Sequence, residues 1–344
     1  MKRNNIILPA EWAPQSAIQL TWPHRNTDWA YMLDEVEECF VNLAREIAAR
    51  QLLLIVTPDP EQVRNRIAHV VNMDNVRIVE CNSNDTWARD HGGITVYVDG
   101  EPVVYDFAFN GWGLKFAACY DNLITSQLNK QGLLHAQYHN RLNFIIEGGS
   151  IESDGCGTML TTSECLLSPN RNGEWNKNEI EQYLCDAFCL SQILWLDHGY
   201  LAGDDTDSHI DTLARLAPDN TILYVRCEDE TDEHYKALQA MEQQLRTFTT
   251  LDGKPYRLLP LPMAQAAYDE EGERLPATYA NFLVMNDAVL YPTYGVPELD
   301  EEAARVIAEA FPGREVVGVD CQPLIKQHGS LHCVTMQYPS NVIE

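Results

Sequence analysis

Several features that would narrow the class of this chain are missing. No apolar run approaches the roughly 20 residues needed to span a bilayer, so a membrane-spanning helix is not expected. Basic residues are scarce: 24 Lys and Arg against 51 Asp and Glu give a formal net charge of −27. A surface of that sign repels phosphate backbones, which excludes nucleic acid as an expected partner, and it attracts small cations. The ten cysteines include no CxxC pair, which argues against structural zinc. The opening segment reaches Pro9 and Glu11 before the apolar core of a signal peptide could form. The expected location is therefore the reducing cytoplasm, with free thiols. Cys185 and Cys189, four apart, are expected on one helix face as small core residues. No Pro/Gly/Ser linker, charge block or low-complexity stretch divides the 344 residues, so a single domain over 1–344 is expected. A hydrophobic content of 45% is enough for a large core.

What is present is a repeated layout. Asp90-His-Gly-Gly leads into an apolar run, a turn at Asp99-Gly100 and a second apolar run. Glu147-Gly-Gly-Ser does the same around Asp154-Gly155, His209-Ile-Asp211 around Pro218-Asp219-Asn220, and Asn281 around Asn286-Asp287. Cys333 heads the last such run, after the polar turn His328-Gly329-Ser330. Apolar runs bounded by such turns predict hairpins. Their recurrence predicts a radial or stacked α/β architecture that gathers five polar residues at one centre.

Between the hairpins, apolar residues at 3–4 spacing predict helices over Tyr31 to Arg50, Pro60 to Met73, Asn176 to Leu190, Glu230 to Phe248 and Asp300 to Phe311, with Asp300 as N-cap. Strands are predicted at 17–22, 52–57, 76–80, 143–146 and 194–196.

The five polar residues suggest a chemistry. A thiolate is a strong nucleophile, and a nearby imidazolium stabilises it and can protonate a leaving group. His209 and Asp211, two apart, would share a face if they lay on a strand. Carboxylates around a thiol raise its pKa and repel an oxyanion, which is awkward for attack on a neutral amide. They make sense around a cationic electrophile. A guanidinium matches a carboxylate with paired N–H donors, so the set Cys333, His209, Asp90, Asp211 and Glu147 reads as nucleophilic attack on a guanidinium carbon.

The segments Asn84-Asp-Thr-Trp-Ala-Arg-Asp-His-Gly-Gly, Glu147-Gly-Gly-Ser-Ile, Leu166-Leu-Ser-Pro-Asn-Arg-Asn, Gly203-Asp-Asp-Thr-Asp-Ser-His-Ile-Asp211 and Gly329-Ser-Leu-His-Cys333 resemble the motifs of agmatine deiminases. These belong to the guanidino-group-modifying superfamily, with the related bacterial peptidyl-arginine deiminases. The resemblance runs from about Pro9 to Pro339. It implies a pseudo-five-fold α/β propeller of the pentein type, built from strand-hairpin-helix units. It implies a hydrolase that converts agmatine to N-carbamoylputrescine and ammonia through an amidino-cysteine, in putrescine and polyamine synthesis, without metal or organic cofactor. The small cationic substrate would be the main partner, with room left for a homodimer. Cys333 would be the nucleophile and His209 the acid and base. Asp90 and Asp211 would clamp the guanidinium, and Asn281 would line the pocket. Two places depart from the family pattern. Gln327-His328-Gly329-Ser330-Leu331-His332 stands where many members have a Gly-rich approach to Asn-Ile-His-Cys, and Asp207-Ser208-His209 stands for Asp-Gly-His.

Several residues carry two readings. Glu147 could serve the pocket or bond the Gly148-Gly149 amides. Asn281 could bond backbone, and Asp90 could pair with Arg89, the only arginine evidently near the motifs. Asp85, Asp204 and Asp205 are candidates for substrate contact, Asp204 and Asp205 alternatively as turn caps. Trp12 and Trp87 could stack on the substrate or pack in the core. His332 is read as structural. The rival functions are a peptidyl-arginine or other guanidino deiminase, a non-catalytic polyamine or guanidine binder, and a cysteine amidase.

Overall fold

Five times along the chain a hairpin hands over to a helix, and the helix to a parallel strand. The computed structural model describes residues 5–344. Ile94–Val98 pairs antiparallel with Glu101–Ala108, which pairs in parallel with Gln137–Ile145. The pattern recurs in Ile151–Ser153, Thr158–Thr162 and Gln192–Leu196. It recurs in Ala214–Ala217, Thr221–Arg226 and Arg257–Pro262, and again in Leu283–Val284, Ala288–Thr293 and Glu315–Asp320. The fifth unit joins the two ends of the chain: Thr335–Pro339 pairs antiparallel with Gln15–Thr21, which pairs in parallel with Leu52–Thr57. Val76–Glu80 extends this last sheet and Ile6–Ile7 the first. A two-stranded ribbon, Ala267–Tyr268 with Arg274–Leu275, stands apart from the repeat.

The turn chemistry explains the hairpins. Asp99 and Gly100 have φ of 53° and 94°, and Asp219 and Asn220 have 58° and 55°. Positive φ at both central positions gives the turn twist that strand pairs favour. Parallel pairs cannot be joined by tight turns and need a crossover. Leu33–Ala48, Ile124–Lys130, Lys177–Phe188, Tyr235–Leu245 and Pro297–Ala310 supply it. In Leu33–Ala48 the residues Val36, Phe40, Leu43 and Ile47 are fully buried. Burial of side chains of this size contributes about 1.5–3 kcal/mol each. Lys177–Phe188 starts with a capping box between Asn176 and Glu179, worth about 1 kcal/mol. Among the described residues, no helix is long and apolar enough to cross a membrane.

Three local expectations change. Asp300 is not an N-cap: Pro297, with its preset φ and no N–H to satisfy, starts the helix three residues earlier. Asp300 instead accepts hydrogen bonds from Tyr279 Oη at 2.7 Å and Tyr294 N at 3.0 Å. Cys189 is exposed, in the left-handed conformation that ends Lys177–Phe188, so it is not a core residue; Cys185 is half-buried. His209 and Asp211 do not lie on a strand; like the other leading polar residues they precede one, as the repeated layout predicts. Asp90 is in the short helix Ala88–His91, Glu147 and His209 precede the 3-10 turns Gly148–Ser150 and Ile210–Thr212, and Cys333 lies in a turn before Thr335.

Candidate active site

Asp90, His209 and Asp211 converge on the α-carbon of Gly149. A β-carbon there would stand 2.7 Å from Asp90 Oδ1, 2.7 Å from His209 Nδ1 and 3.1 Å from Asp211 Oδ2. Glycine is required here for space. We expect Gly149→Ala to fold yet lose about 100-fold in kcat/KM, because displacing reactive groups by about 1 Å costs that much. An unchanged rate with a guanidino substrate would contradict the placement.

Asp90 is pinned on both oxygens. Gly149 N donates to Oδ1 at 3.0 Å, and Trp112 Nε1 donates to Oδ2 at 2.9 Å. His209 Nδ1 lies 3.5 Å from Asp90 Oδ1, and its Nε2 lies 3.9 Å from Glu147 Oε2. Neither ring nitrogen of His209 has a hydrogen-bond partner, and neither does Asp211 Oδ1, although all three atoms are buried. Unpaired buried polar atoms cost free energy, and their clustering marks a place where a polar ligand would be rewarded.

The thiol sits among these groups. Cys333 Sγ donates to Asn281 Oδ1 at 3.4 Å, and the same oxygen accepts from His332 N at 2.8 Å and Cys333 N at 3.3 Å. The Asn281 side chain thus holds the backbone of the Cys333 turn. Burial pushes the Cys333 thiol well above its ordinary pKa, and the charges of Asp211 and Asp90 push it further. Burial likewise raises Asp90 to about 6, against the pull of His209. Burial would lower His209, but Asp90 first, then Cys165 and Glu147, hold it well above the ordinary imidazole range.

Glu147, beside His209, also pairs with an arginine. Burial would raise its pKa, but the adjacent Arg171 guanidinium and His209 together outweigh burial and hold it low. Arg171 Nε lies 2.9 and 3.0 Å from its two oxygens. Arg171 also donates to Asp207 Oδ2 at 2.6 Å, while Lys115 Nζ donates to Asp207 Oδ1 at 2.6 Å. Arg89 is not paired with Asp90. It donates to Gln337 Oε1 at 2.5 Å and to the His332 carbonyl at 3.4 Å.

The remaining candidates divide. Trp87 is brought to the site: its indole donates to Asp85 Oδ2 at 3.1 Å, its ring is 6.3 Å from that of Trp112, and a β-carbon on Gly329 would strike it at 2.0 Å. Asp85 is held by that bond and by Thr86 N at 2.8 Å, and burial pushes it up to about 7. Trp12 goes to the core, its carbonyl accepting from Arg314 at 2.8 Å. Asp204 is spent as a loop cap, accepting from Thr206 and Ser208. Asp205 keeps a half-exposed carboxylate 3.8 Å from His328 Nδ1.

Among the described residues, two trios bring potential metal-ligand atoms within 4.8 Å of one another: Glu147 with Cys165 and His209, and Glu11 with Glu152 and His332. Each already holds a guanidinium, Arg171 against Glu147 and Arg215 against Glu11 and Glu152. That fills the place of a cation with an arginine, so neither trio reads as a metal site.

The profile of the Porphyromonas-type peptidyl-arginine deiminase family matches residues 7–339. The chain belongs to this deiminase family. A Legionella pneumophila protein provisionally named agmatine deiminase is 32% identical over 345 residues, spanning 99% of this chain and 97% of its own. A Porphyromonas gingivalis structure provisionally named arginine deiminase is 54% identical with a TM-score of 0.94, over 99% of this chain and all of its own. A cysteine-to-serine variant of the C. jejuni agmatine deiminase, solved with substrate bound, is 38% identical with a TM-score of 0.92, over 98% and 97% of the two chains. The mixed α/β fold is that of guanidino-hydrolysing enzymes.

Within this deiminase, sequence reasoning missed five participants. Arg171 lies inside a quoted motif, Ser168-Pro-Asn-Arg-Asn, but its partner Glu147 is 24 residues away. Trp112, between two glycines, carries the signal of an aromatic side chain set on a special backbone: its φ is 54°. Glu11, Glu152 and Arg215 form a buried network that no local pattern reveals. Arg89 is therefore not the only arginine at the motifs. His332, read as structural, lies in a turn and contacts Asp211.

Proposed function

We propose that this chain hydrolyses the guanidinium group of agmatine to N-carbamoylputrescine and ammonia through a covalent adduct on Cys333. The observation that carries the reading is the convergence of Asp90, His209 and Asp211 on Gly149, with unpartnered polar atoms beside the Cys333 turn. A guanidinium seated between Asp90 and Asp211 offsets the two charges that hold the thiol up, so substrate arrival favours the thiolate. Sulfur then forms a bond to the guanidinium carbon. His209, held protonated by its neighbours, gives its proton to the departing nitrogen, and the C–N bond breaks to release ammonia. Neutral His209 takes a proton from water as the water oxygen bonds to the same carbon. The C–S bond breaks, the hydroxyl proton of the tetrahedral adduct passes to solvent, and the urea product leaves a Cys333 thiolate.

Relatives named for agmatine and the acidic character of the chain support agmatine over arginine. The expected kcat/KM for agmatine exceeds that for arginine by about 100-fold or more, because a carboxylate entering beside Asp90 and Asp211 is repelled. Mass analysis after incubation with agmatine, arginine and a peptidyl arginine tests this. Comparable turnover of arginine or the peptide would replace agmatine by the second reading, which the family's description and the Porphyromonas gingivalis neighbour favour.

Asp90 also sets a pH limb. Protonation removes the charge that grips the guanidinium, so kcat/KM should fall as pH drops through about 6. The Trp112 hydrogen bond opposes the upward shift, so Trp112→Phe should move this limb to higher pH. A limb that stays put would remove Asp90 from the recognition step.

The same reading takes the five like-paired sheets as blades of a pseudo-five-fold propeller, formed by 1–344 as one domain and working in the cytoplasm. The closing of Thr335–Pro339 on Gln15–Thr21 supports a ring.

A further inference from the structure

Cys333 is preceded by a second buried histidine that the mechanism above does not use. His332 is 1% exposed. Its Nδ1 is 2.7 Å from Asp211 Oδ2, and its Nε2 is 2.7 Å from Glu11 Oε2. Arg215 Nη2 stands 3.0 Å from the same Nε2 and 2.7 Å from Glu11 Oε2. Arg215 is itself fixed by Glu152 and by the carbonyls of Ala280 and Phe282. A carboxylate only accepts, so Nδ1 donates to Asp211 whatever Nε2 carries. With both nitrogens occupied, His332 is not a second acid or base for the reacting atoms.

The consequence falls on Asp211. A carboxylate turns freely about its terminal torsion, which has broad minima. Fixing Oδ2 fixes Oδ1, the oxygen without a partner. We propose that His332 is a positioning residue: it aims Asp211 Oδ1 at the guanidinium, and Glu11 with Arg215 hold His332 in place. Because His332 N and Cys333 N share Asn281 Oδ1, one turn sets both the nucleophile and the clamp. This deepens the guanidinium reading above and rests on it.

The test uses full-length protein carrying Cys333→Ala, so that agmatine binds without turnover. Affinity is measured by titration calorimetry for that parent and for the parent with His332→Asn or His332→Gln. The Asn amide overlays Nδ1 and keeps the donor to Asp211, whereas the Gln amide overlays Nε2 and loses it. His332→Gln should weaken agmatine by about 10- to 100-fold, the range for loss of a supporting hydrogen bond behind a binding group. His332→Asn should stay within about threefold, even though both variants lose part of the buried network and melt lower. A purely structural role would instead make affinity follow melting temperature. Equal affinities in the two variants, or weaker binding by His332→Asn, would overturn the proposal. If His332→Gln does not fold, the His332 Nδ1–H resonance of the Cys333→Ala protein replaces it, and no shift on adding agmatine overturns the proposal. A parent that fails to bind agmatine sinks the substrate reading, and the proposal with it. A parent that binds, joined to an unaffected His332→Gln variant, sinks the proposal alone.

Discussion

Cys333→Ala is expected to lower kcat with agmatine by on the order of 10⁴-fold or more while the protein stays folded and still binds substrate. The side chain is nearly fully buried, and its one hydrogen bond, to Asn281, is a long thiol contact. Losing it should cost little stability, while it removes the proposed nucleophile. Cys333→Ser should be comparably inactive, because a hydroxyl among Asp90 and Asp211 is far harder to ionise than a thiol. Steady-state ammonia release, circular dichroism and mass analysis for a sulfur adduct check this together. A variant that kept more than about 1% of the rate would remove Cys333 from the nucleophile's place.

Asp211→Asn should separate two effects that run in opposite directions. Asp211 is the first of the charges that push the Cys333 thiol up. Removing that charge makes the thiol more acidic, so alkylation by iodoacetamide at neutral pH should become faster. The guanidinium, however, loses a charge-assisted partner worth about 1.5–3 kcal/mol, and His332 is left with a neutral amide oxygen in place of a charged acceptor. At about 1.4 kcal/mol per tenfold, with misalignment added, kcat/KM for agmatine should fall on the order of 10³-fold. The clamp therefore outweighs the gain in thiolate. Faster alkylation with slower turnover is the signature; slower alkylation would mean that Asp211 does not act on Cys333.

The buried centre explains why such changes should be felt strongly. Glu11, Asp90, Glu147, Glu152 and Asp211 face Arg89, Arg171 and Arg215 with His209 and His332, all nearly out of contact with water. Breaking one partner in a buried ion network costs about 3–5 kcal/mol, against 0–1 kcal/mol for surface pairs such as Lys326 with Glu35. The network is accordingly expected to tolerate conservative swaps better than deletions.

Much of the fold was legible because hairpins are local. Asp99-Gly100 and Asp219-Asn220 announce their turns, and Leu52–Thr57 and Val76–Glu80 were predicted at their observed bounds. Helix ends were less legible: Pro297 and Cys189 show that a cap or a left-handed residue decides the boundary, not the apolar stripe. At the site, Cys333, His209 and Asp90 stood out because each leads a repeated unit, and Asp211 because it stands two residues after His209. The expectation that His209 and Asp211 share a face held for a different reason than strand alternation. His209 precedes the 3-10 turn Ile210–Thr212 and Asp211 lies within it, and both reach Gly149.

Sequence alone determined the residue types at the heads of the five units and the turn chemistry that makes each unit a hairpin, since both depend on neighbours a few positions apart. Tertiary structure alone decided which carboxylate is free and which is spent. Glu147 goes to Arg171, Asp204 to its own loop, and Asp211 to His332 on one oxygen only. The reason is physical: an ionic partner is chosen by distance and desolvation in three dimensions, and His332 meets Asp211 across 121 residues of chain.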